Sequence, residues 1–189
     1  MIDVERCAFA QKREMKITLK KLLGYVAGLL AVVALFLPLA AALVYRKPVG
    51  NNEIVTTYTN LYGFIFGGEV TTQGTSISGT VDLEGAVALP LVAWILLVLG
   101  MIGTLVGISF GCMKKARLAN LAFLGTALVL IVSAVLFFAS KSALLTAVVG
   151  ETLAENMAAN TALGFGAIGT GIFAIVSAVS CVGSAILKK

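Results

Sequence analysis

Four uncharged runs divide this chain, at 22–45, 85–113, 118–140 and 156–187, and every Asp, Glu, Lys and Arg lies between or beyond them. Each run is long enough to cross a bilayer, which takes about 20 apolar residues. The pattern predicts membrane-spanning helices over 22–45, 86–112, 118–140 and 161–187. A polar arm at 1–21 precedes them, 46–85 and 141–160 connect them on one side, and a short turn at 113–117 connects them on the other, with 188–189 as a tail. The first run, with its basic lead and Leu39-Ala40-Ala41-Ala42, is similar to a secretory signal. Its 24 apolar or neutral residues exceed the usual signal core of about 7–15, so it reads as an uncleaved helix. Cleavage would leave three spans. Pro38 lies within it and is expected to kink it or free a carbonyl.

The connections differ in character. Residues 46–85 turn to Thr, Gly, Val, Ile and Tyr, with β-like stretches at 54–59, 61–66, 69–72 and 75–83 and turns at Gly67-Gly68 and Gln73-Gly74. These predict two to four strands of a small antiparallel sheet on the outer membrane face. In 141–160, Leu145, Val148, Val149, Leu153 and Met157 recur at helical spacing, which predicts a short amphipathic helix. Pro90 falls in the first turn of the second span, where its missing N–H costs little, and Trp94 stands at interfacial depth.

Charge orients this plan. Arg6, Lys12, Arg13, Lys16, Lys20 and Lys21 precede the first run, Lys114, Lys115 and Arg117 lie in the short turn, and Lys188 and Lys189 end the chain. Eleven of 14 basic residues thus share one face, leaving Arg46, Lys47 and Lys141 on the other with Glu53, Glu69, Asp82, Glu84, Glu151 and Glu155. The positive-inside rule then puts both termini in the cytoplasm. The segment from Met15 looks like a bacterial membrane-protein start, which makes 1–14 either an upstream extension or a cytoplasmic arm. The chain is 59% hydrophobic and 12% charged, with mean hydropathy +1.03, against about 25% charge in a soluble domain. One membrane domain uses most of its 189 residues. The net charge of +5 does not point to nucleic acid, because the basic residues stand beside the spans, where they set topology and meet anionic headgroups.

The chemistry is sparse. There is no His, no Asn-x-Ser/Thr sequon and no CxxC, and Cys7, Cys112 and Cys181 all map to the cytoplasmic side. That pattern fits a bacterial inner membrane, with no outer disulfide, no zinc site and no His-based general base. The spans hold no Asp, Glu, Lys, Arg or His, so the carboxylate or basic relay that coupled carriers place at mid-membrane is not expected. Enzymatic, cofactor and metal motifs are likewise not found. What remains is small-residue spacing. Gly103, Gly107 and Gly111 form a GxxxGxxxG ridge on the second span. Gly164, Gly171, Ala178 and Ala185 recur every seven residues on the fourth, as do Ala119, Thr126, Ser133 and Ser140 on the third. Such spacing lets helices approach closely in lipid, within one chain or against a partner. The aromatic set Tyr58, Tyr62, Phe64 and Phe66 is the candidate outer recognition surface, or else a cover for the helix tops.

The arrangement of four spans, internal ends and a long β-prone first outer loop resembles the claudin-like tetraspan plan. That family carries Gly-Leu-Trp and two cysteines in this loop. Here Asn60-Leu61-Tyr62 is the nearest string and no loop cysteine exists. The resemblance is one of topology and implies neither function nor site residues. The expectation is an all-α integral membrane protein, a four-transmembrane-helix bundle with a β-rich extracytoplasmic cap. Its expected role is that of a non-enzymatic accessory, assembly or interaction subunit. Its partners would be the lipid bilayer and either itself or another membrane protein. The rival expectation is a small oligomeric pore or uncoupled transporter lined by the Ser and Thr faces of spans three and four.

Overall fold

The computed structural model describes residues 2–49, 52–74 and 78–187, and the side chains of 19–47, 54–74 and 78–187. The side chains of Arg6, Cys7, Lys12, Arg13, Lys16, Glu53, Lys188 and Lys189, and the start of the expected strand at 75–77, lie outside that description. Four helices are long and apolar enough to cross a membrane. The first is the later part of α1 (Ile2–Phe36) with the 3₁₀ turn after it, and the others are α3 (Ala88–Cys112), α4 (Ala116–Ala139) and α7 (Phe165–Ile186). They form a four-sided bundle, in which α1 packs on α3, α3 on α4, α4 on α7 and α7 back on α1.

The bundle is built inside out relative to a water-soluble one. Its interior is largely small: Ala27, Ala31, Ala34, Ala93, Ala127, Ala134, Ala167, Ala174 and Ala178 are buried. Bulky residues such as Leu29, Leu121, Leu128 and Val179 are about two-thirds exposed on its outside. In lipid the tails are as apolar as leucine, so side-chain burial gives no drive and close backbone packing by small residues replaces it.

At one end the chain builds a five-stranded antiparallel sheet in the order β4-β3-β2-β1-β5. Here the expected first span, 22–45, is corrected. The helix stops at Phe36, and Leu37–Leu39 form a 3₁₀ turn around Pro38. Pro38 has no N–H for the helix ladder and disfavours helical backbone at the residue before it. The chain then enters β1 (Ala41–Val49), which pairs with β2 (Asn52–Thr59) in the register Val44↔Thr57. On its other side β1 pairs with the three-residue β5 (Thr161–Leu163). β3 (Gly68–Gly74) and β4 (Ser78–Leu83) complete the sheet.

The β-like stretch at 61–66 is a second correction, because it forms the helix α2 (Leu61–Phe66). Asn60 takes a left-handed backbone at φ 68° and turns the chain into it, and Asn60 Nδ2 donates to the Glu69 carbonyl at 3.1 Å. Leu61, Phe64 and Ile65, spaced i, i+3 and i+4, are fully buried between the sheet and the bundle. Gly67, at φ 79°, ends the helix in a conformation that suits glycine.

The expected amphipathic helix over 141–160 is divided. α5 (Lys141–Val149) and α6 (Glu151–Met157) meet at Gly150, also at φ 79°. Lys141 Nζ donates to the Ala158 carbonyl at 2.9 Å and closes this segment on itself.

Candidate functional site

Two regions collect the side chains that the sequence singles out: the helix interfaces and the seam between sheet and bundle. At the interfaces the glycine ridge of α3 is already occupied. A methyl group on Gly103 would lie 2.2 Å from Thr126 Oγ1, and one on Gly107 would lie 2.9 Å from the Phe123 ring. Both partners belong to α4. Gly100 continues the same seam one turn earlier, against Leu130. Gly111 differs, since nothing lies within 4 Å of such a methyl. On α7, Gly171 faces the Phe138 ring of α4, and Gly164 lies against the carbonyl of Ala41 at the start of β1. The expected ridge is therefore not one surface. Gly103, Gly107, Gly164 and Gly171 serve packing within the chain, and Gly111 alone of the five opens outward.

The buried hydroxyls follow the same logic. Ser133 Oγ donates to the Ala93 carbonyl at 2.7 Å and joins α4 to α3. Ser177 Oγ donates to the Ala27 carbonyl at 2.7 Å and joins α7 to α1. Thr104, Ser109, Thr170 and Ser180 bond back to carbonyls of their own helices. Each of these six hydroxyls donates to a backbone carbonyl. Replacing Ser177 with Ala is expected to lower stability by about 0.6 kcal/mol, the average for such bonds in membrane helices. Thermal unfolding in detergent measures this, and a loss above about 2 kcal/mol would mean the hydroxyl does more than bridge two helices.

The four aromatics of the outer loop also part company. Tyr58 and Phe64 are buried in the core beneath the sheet. Burial, with Tyr45 nearby, raises the Tyr58 pKa above its ordinary 10.0. Tyr62 and Phe66 instead stand on α2 and stack at 6.0 Å, and Trp94 of α3 meets both edge-on, at 6.4 Å and 5.0 Å. Tyr62 Oη also donates to the Leu35 carbonyl near the end of α1. A three-ring cluster thus marks the seam between cap and bundle, with Phe66 the most exposed of its members. Sequence reasoning sets Trp94 apart as an interfacial anchor, because its partners lie about thirty residues away. The indole Nε1 is buried and has no hydrogen-bond partner among the described residues.

The sheet end carries Glu69, Asp82, Glu84, Glu151 and Glu155 with Arg46, Lys47 and Lys141, and the opposite end carries Lys20, Lys21, Lys114, Lys115 and Arg117. β4 ends the sheet, and Ser78, Gly79, Thr80 and Asp82 on it are exposed. Among the described residues no three His, Cys, Asp or Glu side chains converge on a point that could hold a metal ion. No family model matches the chain, and no curated protein matches it in sequence.

Proposed function

We propose that this protein is a non-enzymatic, multi-pass membrane subunit that presents a rigid β-cap to a partner, either another membrane protein or a second copy. The observation that carries this reading is how firmly the cap is mounted while one edge stays open. β1 follows α1 through a single 3₁₀ turn, β5 leads directly into α7, and α2 is tied to α1 by the Tyr62 hydroxyl. The sheet nevertheless ends in β4, an exposed strand whose free backbone groups suit the addition of a further strand. The aromatic seam beside it adds apolar area at the level where indole and phenol rings favour the membrane interface.

In this reading the protein is a tetraspan of claudin-like plan in the plasma membrane of a bacterium, with the cap outside. Lys20, Lys21, Lys114, Lys115 and Arg117, gathered at the end away from the sheet, support that orientation, with both termini in the cytoplasm. The rival pore or uncoupled transporter draws little support from the bundle interior, where Ser133, Thr170 and Ser177 donate to carbonyls.

Purification of the tagged chain from its native membrane in mild detergent, with mass spectrometry of the intact complex, tests the proposal. The expected result is a second protein, or a further copy, at fixed ratio. Thr80→Pro, which removes a backbone donor from the open edge, is expected to release it, as is Phe66→Ala. A lone monomer that carries out solute flux in liposomes would overturn the reading.

A further inference from the structure

We infer that the cleft at the basic end of the bundle binds an anionic phospholipid, with part of one acyl chain between α1 and α3 and the phosphate on Lys21 and Lys114. The helices set this up. α1 and α3 approach at Gly28, where a methyl group would touch the Ile108 side chain at 3.6 Å. One turn nearer the basic end, the nearest neighbours of a methyl on Gly24 would be Phe123 of α4 at 3.2 Å and Ser184 of α7 at 3.6 Å. A cleft lies between the two helices there, with Gly24 and Tyr25 of α1 and Ile108 and Cys112 of α3 among its walls. The Phe123 ring floors the gap and Gly111 leaves its outer wall empty, giving a cleft of about 100 Å³.

Its chemistry changes with depth. The floor is apolar, and the Ser184 hydroxyl beside it donates to the Lys20 carbonyl at 3.1 Å. Water held there would find few polar partners. The rim is cationic: Lys20, Lys21 and Lys114 line the cleft and, among the described residues, no acidic one does. Lys20 is fixed in place by its 2.8 Å bond to Asn120 Oδ1, and Lys21 and Lys114 are exposed. Five residues of α3 separate Gly107 at the floor from Cys112 at the helix end, about 8 Å at 1.5 Å per residue, and Lys114 follows in the turn at the rim. That spans the step from acyl chain to headgroup. A soluble anion would use the rim and leave the floor empty. A zwitterionic lipid would fill the floor but offer the lysines no net charge.

The test reconstitutes the full chain in vesicles of phosphatidylglycerol and phosphatidylethanolamine, each in turn carrying a photoactivatable acyl chain, and maps the crosslinks by mass spectrometry. The expected result is labelling at the cleft, with phosphatidylglycerol preferred about 25-fold, roughly fivefold for each of two lysines near a membrane surface. Lys21→Gln with Lys114→Gln is expected to remove the preference. Gly111→Leu keeps every charge, and with them the charge-set topology, and is expected to abolish labelling by filling the cleft. Arg46→Gln, at the other end, is expected to change nothing. Equal labelling by the two lipids, unchanged labelling of Gly111→Leu, or displacement by inorganic phosphate would each overturn the inference. The cap and its partner lie at the opposite end, so the two proposals stand or fall separately.

Discussion

Gly164→Ala is expected to lower the stability of this protein by about 3 kcal/mol, at the upper end of the usual cost of overpacking. A methyl group at Gly164 would lie 2.3 Å from the Ala41 carbonyl oxygen, 2.5 Å from its carbon and 2.9 Å from the carbonyl carbon of Ala42. All three are backbone atoms, so no side chain can rotate aside. Gly164 N also donates to the Ala42 carbonyl at 2.7 Å, so the same contact closes the joint between β1, β5 and the start of α7. Making room means prising the sheet off the fourth long helix. Gly166 repeats the constraint two residues on, against the carbonyl oxygens of Ala41, Leu37 and Ala40 at 2.9 to 3.0 Å. At about 2–4 °C per kcal/mol for a chain of this size, the unfolding midpoint should fall by roughly 10 °C. Trp94 is the only tryptophan and lies at the cap–bundle seam, so its fluorescence reports the loss directly. A midpoint within a degree or two of the unaltered protein would show that β1 and α7 are not in contact there.

The second large effect separates glycines that look alike on paper. Gly103→Leu is expected to cost about 3 kcal/mol, while Gly111→Leu should stay within about 1 kcal/mol of the parent or gain slightly from better helix propensity. At Gly103 the first new atom already collides with Thr126 Oγ1 and comes within 3.3 Å of Thr126 Cβ, and the rest of a leucine would wedge α3 from α4. At Gly111 nothing stands within 4 Å. Denaturant unfolding followed by circular dichroism in one detergent compares the two. If Gly111→Leu proved the more damaging, the α3–α4 seam described above could not be correct.

The GxxxGxxxG spacing was visible in the chain, but which glycine has a neighbour depends on where Thr126 and Phe123 of another helix arrive. The aromatic loop teaches the same lesson. Tyr58, Tyr62, Phe64 and Phe66 read as one group because they are close in sequence. A six-residue helix then turns Phe64 inward and leaves Tyr62 and Phe66 outside with Trp94. The i, i+3, i+4 spacing of Leu61, Phe64 and Ile65 was a signal for that helix. It was outweighed by the β-rich composition around it. β1 was missed for a related reason: its residues are as apolar as the helix before them, and only Pro38 marks the boundary. The three residues of β5 carry no pattern of their own and become a strand because β1 lies beside them.

The sequence by itself determined the four long apolar helices and the presence of a small antiparallel sheet, because apolar length and β-branched composition act locally. It also determined that small residues and hydroxyls would lie where helices meet. Only the tertiary structure decided where the first helix yields to the sheet, which glycines are filled and which is open, and how the aromatics divide. Those outcomes depend on atoms supplied by segments far apart in the chain, whose distances no local pattern encodes.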